Sequence, residues 1–290
     1  MSTMAISAKQ VAELRARTGA GMMDCKAALE EAQGDMDRAV EILRRKGIAR
    51  AEKRADRGAS QGVVAIATAP DERSAAMIEL NCETDFVARN ETFLALARDL
   101  ARHALAQAPE GIHPGSVLDG QAFRDVTVAQ AIKEMSGKTG EAMTLRRVAR
   151  LGTATGVVGT YLHHDARAGA LVELEGPAHP ATRSLARELA LHVAFADPLG
   201  LDERDIPAEV LARERRIAEE QVAQEGKPEN VRAKIVEGKL RKFVAERTLL
   251  GQGFVRDDKK AVRDLVQEAA KEAGGPIAVK RFARFKVGEG

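Results

Sequence analysis

Tryptophan is missing from the 290 residues, tyrosine occurs once, and eight phenylalanines bring the aromatic share to only 3%. A surface that stacks successive bases on aromatic rings is hard to build from such a chain. The two cysteines, Cys25 and Cys82, show no Cys-x-x-Cys or Cys/His spacing, so neither a zinc site nor a disulfide framework is indicated. No segment approaches about 18 consecutive apolar residues, and the N-terminus MSTMAISAKQ has no long apolar stretch, which argues against a membrane span and a signal peptide. Charge of one sign is lacking too: 45 basic against 43 acidic side chains leave a net +2, which does not imply wholesale nucleic-acid binding. A reduced, cytoplasmic protein is the simplest reading.

Sequence patterns for covalent chemistry are absent as well. There is no GxxxxGK[ST], so the chain is not expected to bind a nucleotide directly through a P-loop; GxSxG and HExxH do not occur either. His163-His164 falls in an expected strand, where neighbours point to opposite faces, and is not read as a metal pair. Cys25 and Cys82 read as small packing residues. No catalytic residue, metal ligand or cofactor is expected.

What is present favours helices and a real core: 44% of residues are hydrophobic, and Ala, Leu, Val, Glu and Arg dominate. Residues 8–47 read as three short helices. A break at Thr18–Gly21 ends the first, Gly34 ends the second, Asp35 caps the third and Gly47 closes it. Val40 and Leu43 are taken as the apolar face of the third helix. A basic run follows, with Arg44, Arg45, Lys46, Arg50, Lys53, Arg54 and Arg57, read as a solvated linker or as an RNA or protein contact.

Beyond it the chain repeats itself. Gly62-Val63-Val64 recurs as Gly156-Val157-Val158, and Ala76–Leu80 as Ala170–Leu174, both at an offset of 94. Leu96–His103 recurs as Leu185–His192 at 89, and Leu145–Leu151 as Val279–Phe285 at 134. The first two blocks look like strands, the third has helical spacing, and the fourth alternates like a half-buried strand. Each half is therefore expected to be an antiparallel sheet with helices on one side, giving an α+β fold. Glu79 and Glu173 are related by this repeat rather than by a shared pocket. The changing offset places five extra residues of the first half in Asn81–Glu91, and about 45 extra residues of the second half near 205–250. The latter reads as an antiparallel helical hairpin turning at Gly226-Lys227-Pro228. The loop Thr84-Asp85-Phe86-Val87 lies in the first insertion and combines a carboxylate with a large ring. Either Phe86 tucks back into its own core while Asp85 caps the helix near Asn90, or the loop is functional.

At this loop, and at Leu14–Leu29 with its Thr18-Gly19-Ala20-Gly21-Met22-Met23-Asp24-Cys25 centre, the sequence resembles bacterial elongation factor Ts. The resemblance implies a small three-helix, ubiquitin-associated-like (UBA-like) N-terminal domain with basic linker over 1–57. It implies a duplicated core of two antiparallel-sheet-plus-helix subdomains over 58–152 and 153–290, with the hairpin inserted in the second. The implied partner is elongation factor Tu, in its GDP-bound and nucleotide-free forms, and the implied activity is exchange of GDP for GTP without covalent chemistry. Thr84, Asp85, Phe86 and Val87 are then the segment that disturbs the partner's Mg²⁺ site. Arg15, Met22, Met23, Arg54, Gly169 and His192 are the implied partner contacts. Ala168 departs from the larger apolar residue expected beside Gly169. Some members continue past Val287–Gly290 with a helix that packs on the partner, so affinity here is expected to rest on the N-terminal domain, core and hairpin. A homodimer through the hairpin stays open. The alternatives of other classes are a ribosome- or RNA-associated binding protein using the basic run, an enzyme on this scaffold, and a structural oligomer.

Overall fold

The computed structural model of the chain describes residues 6–52, 54, 57–225 and 228–289. Lys53 and the Gly226-Lys227 turn lie outside the described residues. The order begins with α1 (Ala8–Thr18), α2 (Met22–Glu31) and α3 (Met36–Glu52). Ser7 and Gln10 form a reciprocal capping box at the first helix, and Asp35 accepts from the Arg38 amide at 3.0 Å to start the third. The shared core is small: Leu14, Cys25, Ala28, Leu29, Ala39 and Ile42 are its most buried members. Val40 and Leu43 are only partly buried against it.

The helix expected to stop at Gly47 runs on to Glu52. Gly47 is not a terminator but a packing surface. A Cβ on Gly137 would lie 2.8 Å from the Gly47 Cα, so the pair of glycines lets two helix backbones approach.

Next come β1 (Gln61–Thr68), β2 (Ser74–Cys82), α4 (Asp85–Ala88), α5 (Glu91–Gln107), β3 (Gly111–Pro114), β4 (Ala122–Phe123), β5 (Val126–Thr127), α6 (Val128–Thr139) and β6 (Met143–Gly152). The chain continues with β7 (Gly156–Leu162), β8 (Ala168–Glu175), α7 (Pro180–Ala196), α8 (Ala208–Gln224), α9 (Glu229–Arg247), β9 (Gly253–Phe254), β10 (Asp257–Ala261), α10 (Val262–Ala273) and β11 (Ala278–Lys286). This is a mixed helix-and-sheet chain. One sheet has the order β1-β2-β6-β3, another the order β11-β8-β7. By its contacts the chain divides into unit 1 (1–65, 78–148, 286–290) and unit 2 (66–77, 149–285), the division falling within β1, β2 and β6.

Residues that match in sequence hold matching positions in the fold. Gly62 and Gly156 have φ of 147° and 149°, and a Cβ on either would strike a carbonyl of the neighbouring strand, Leu80 O at 2.3 Å and Leu174 O at 2.0 Å. Glu79, fully buried, accepts from Arg147 Nε at 2.6 Å; Glu173 is paired with Arg281 in the same way. Arg147 also donates to Lys286 O and Arg281 to Gly152 O, acceptors that are themselves 134 residues apart. A buried carboxylate is tolerated only when so satisfied.

In unit 2, α8 and α9 pair through Ala218, Val222, Val236 and Leu240, with Arg215–Glu237 and Lys239–Glu225 ion pairs on the outside.

Candidate functional site

The connection between β2 and α5 covers 83–90, whereas that between β8 and α7 covers only 176–179. The longer one is fastened at its start. Thr84 caps α4, its Oγ1 accepting from the Val87 amide at 3.4 Å. The same hydroxyl donates to Glu141 Oε1 at 2.5 Å, and the Thr84 amide donates to Glu141 Oε2 at 3.0 Å. Glu83 accepts from the Ala142 amide at 2.7 Å and lies 3.7 Å from Arg57. Cys82 Sγ donates to Thr84 O at 3.2 Å. Burial, with the carboxylates of Glu141, Asp85 and Glu83 nearby, pushes the Cys82 thiol up to about 12. It therefore stays a protonated donor at neutral pH and has no thiolate to offer as a nucleophile.

On this base Phe86 stands 83% exposed. Ala88 turns inward while the phenyl ring turns out, and Asn90 starts α5 by itself, its Oδ1 accepting from the Thr92 amide at 2.9 Å. The tucked arrangement, with Asp85 as the cap of that helix, is thus not adopted. Asp85 pairs with Arg89 at 3.1 Å on the surface, a contact worth little in energy.

Unit 1 also carries Met22 and Met23, 58% and 74% exposed at the start of α2. Arg15 is exposed on α1. Arg54 is half-buried just past α3, and its Nη1 is buried without a hydrogen bond. The basic run is partly spent internally: Arg44 pairs with Glu134, Lys46 with Glu31 and Arg57 with Glu83.

Gly169 and His192 belong to unit 2. Gly169 is buried in β8 opposite Leu162 of β7. His192 has no exposed surface. Its Nδ1 accepts from the Val255 amide at 3.2 Å, which leaves Nε2 to donate to Gln252 Oε1 at 3.0 Å. Burial holds its pKa below the usual histidine value. The arrangement has a twin: His103 Nε2 lies 2.9 Å from Gln121 Oε1, and each ring sits against a phenylalanine, Phe123 at 5.4 Å and Phe254 at 5.9 Å. The His192 side chain holds the scaffold, so a contact made at this place falls to exposed neighbours.

The foremost neighbour is Phe195, which is exposed, with Tyr161 at 5.7 Å and His163 at 5.4 Å between ring centroids. The sequence reading missed it, although the run Leu191–Ala196 holds more apolar residues than one helix face can bury. It also missed Glu141, for which no local signal exists. His163 and His164 do not point apart as strand neighbours would. They follow the end of β7, where alternation no longer applies, and their rings lie 4.2 Å apart. Among the described residues no group of three His, Cys, Asp or Glu is placed to hold a metal ion, and no helix is long and apolar enough to cross a membrane.

The family model described as Elongation factor TS matches residues 83–289, from the first residue of the fastened connection almost to the end of the chain. The chain belongs to the elongation factor Ts family. A protein named Elongation factor Ts from a Nitratiruptor species is 46% identical over 99% of this chain and 94% of its own length. Those of Alkalilimnicola ehrlichii and Aquifex aeolicus are 45% and 44% identical. They cover 99% and 98% of this chain, and 94% and 99% of their own. The likeness to these elongation factors therefore extends to Arg15, Met22, Met23 and Arg54, which precede the family-model match. Membership of the elongation factor Ts family makes this a translation elongation factor.

Proposed function

We propose that the protein is a cytoplasmic guanine-nucleotide exchange factor for elongation factor Tu, acting by binding and not by covalent chemistry. It engages the GDP-bound and nucleotide-free forms of that GTPase. The UBA-like domain with basic linker (1–57) and the two core subdomains (58–152 and 153–290, with the hairpin) each present part of the contact surface. The observation that carries this reading is the solvent-facing Phe86 on a turn whose base is fastened by Glu141.

Exchange requires a ligand that binds better once the partner's hold on Mg²⁺ and nucleotide is loosened. The coupling is reciprocal: GDP weakens this protein's binding as much as this protein weakens GDP. Phe86 supplies apolar surface for a pocket that opens only in the loosened state, worth about 1.5–3 kcal/mol. Asp85 brings a carboxylate to the surroundings of the metal. The ordering cost of the loop is met within the free protein, which leaves more of that energy for the partner. Met22, Met23, Arg15 and Arg54 of unit 1, and Gly169 with the His192 region of unit 2, supply the remaining contact.

The test is release of a fluorescent GDP analogue from elongation factor Tu. Acceleration at substoichiometric concentration is expected. No acceleration with the cognate GTPase sinks the proposal.

A further inference from the structure

The repeat separates residues that serve the scaffold from residues that serve the loop. At the offset of 134, α10 matches α6, and both end on a left-handed glycine, Gly274 and Gly140. The last turn of α6 and the residue after that glycine do not match. Ser136, Gly137, Thr139 and Glu141 have Ala270, Lys271, Ala273 and Gly275 as their counterparts.

In unit 1 these four residues do two jobs side by side. Gly137 receives α3 at Gly47, and ion pairs flank the crossing, Arg44 with Glu134 and Glu52 with Lys133 at 2.8 Å. Ser136 and Thr139 set the backbone of Glu141. Ser136 Oγ donates to Glu141 O at 2.5 Å, and the Glu141 amide donates to Thr139 Oγ1 at 3.4 Å. Glu141 then accepts both Thr84 donors at the base of the Phe86 turn. The chain leaving α3 adds a second tie, Arg57 to Glu83, one residue before Thr84. In unit 2 the seat glycine, the gripping carboxylate and the long connection are missing together, with Lys271, Gly275 and the short 176–179 in their places. Residues lost as a set with the loop are explained by the loop and not by the shared scaffold.

We propose that Gly137 is a positioning residue for the exchange activity assigned above. By seating α3 against the last turn of α6 it holds Glu141, and through Glu141 the Phe86 turn, in the fastened form. The N-terminal three-helix unit thus acts on the loop before any partner arrives, besides making its own contacts. Part of the cost of ordering the loop is met by this docking.

The test is Gly137→Ala in the full chain. A Cβ there would lie 2.8 Å from Gly47 Cα and 2.9 Å from Gly47 C and O, all backbone, so α3 has to move away. Alanine suits the α6 helix itself better than glycine does. The reciprocal Gly47→Ala puts its Cβ 3.6 Å from Gly137 Cα, an ordinary contact, and is the control. In the free chain, Gly137→Ala is expected to quicken amide hydrogen exchange at Thr84 and Val87 roughly tenfold relative to β2 and α5, and Gly47→Ala to leave it unchanged. Lys133→Glu sets two carboxylates against each other beside the seat and should act in the same direction; adding Glu52→Lys should restore protection. With elongation factor Tu, the maximum rate of GDP release should fall about threefold in Gly137→Ala. Unchanged protection of Thr84 in Gly137→Ala overturns the assignment. So does a rise in the half-saturating concentration with the maximum rate kept, because the N-terminal unit is then only a contact surface. Protection is read without the partner, so a lack of exchange by the unaltered chain would sink the exchange function and leave the link from seat to loop to be judged on protection alone.

Discussion

The two copies of the core repeat agree where the chain is buried and differ where it meets solvent. Gly62 and Gly156 leave room for the same carbonyl, and the Glu79–Arg147 and Glu173–Arg281 pairs sit at matching places. His103 with Gln121 and Phe123 repeats as His192 with Gln252 and Phe254. The connections that follow β2 and β8 part company: one carries α4 and an outward Phe86, the other passes directly to the Pro180 start of α7. A shared scaffold thus bears unlike attachments, and a residue common to both copies is better explained by folding than by partner recognition. Phe86 has no twin; His192 has one.

The strongest challenge to that division is to break the twin ion pairs. Glu79→Ala and Glu173→Ala each remove a buried carboxylate from a half-buried arginine that keeps a backbone carbonyl acceptor, and each should cost about 1.5–3 kcal/mol in urea unfolding. Similar losses are expected because the geometry is similar. A loss in one copy alone would mean that the second pair has been released from its structural duty.

Next in size is Phe86→Ala. The side chain touches solvent, so the melting temperature should not move, whereas exchange should slow roughly 10- to 100-fold if about 1.5–3 kcal/mol of burial is used only in the loosened complex. Replacing 83–90 by the sequence of 176–179 is the same test by subtraction. The chain should still fold, since His179 caps its own helix by accepting from the Ala181 amide, but exchange should vanish. Full exchange activity in either variant would dismiss the loop from the mechanism.

These contrasts also explain what could be read in advance. The duplication was legible because buried positions repeat residue types at fixed offsets, and the insertions were legible as jumps in those offsets. Whether Phe86 points in or out was not, because the deciding contact is Thr84 with Glu141, 57 positions away. Gly47 was misread because a glycine that ends a helix and one that admits a neighbouring backbone look alike in sequence; only Gly137 across the contact tells them apart. His163 and His164 were misjudged because the alternation rule was applied past the end of β7, at Leu162.

Glu141→Ala sharpens the comparison from the other side. It removes the acceptor for both Thr84 donors without touching Phe86. Exchange is expected to fall severalfold, less than for Phe86→Ala, because a loosened loop must be ordered again on binding. Amide hydrogen exchange at Val87 and Ala88 should quicken at the same time. Slower nucleotide release with unchanged amide protection would refute the fastening role.

The smallest effect concerns His192 and is a matter of pH. Its folded pKa lies below the free value of 6.5, with burial as the first cause, so the folded chain favours the neutral ring. The unfolded chain takes up a proton near 6.5 while the folded one still resists. The contribution to stability is complete above 6.5 and declines as pH falls toward the folded value. Urea midpoints should therefore drop as pH falls below 6.5, and a ring-proton titration should place the His192 midpoint below 6.5. His192→Gln, which removes the titrating group, should flatten the part of that slope that belongs to this site, and an unchanged slope would assign the pH dependence to other groups. A ring that titrates normally at 6.5 would contradict the buried, doubly bonded placement and reopen His192 as a surface that a partner can touch.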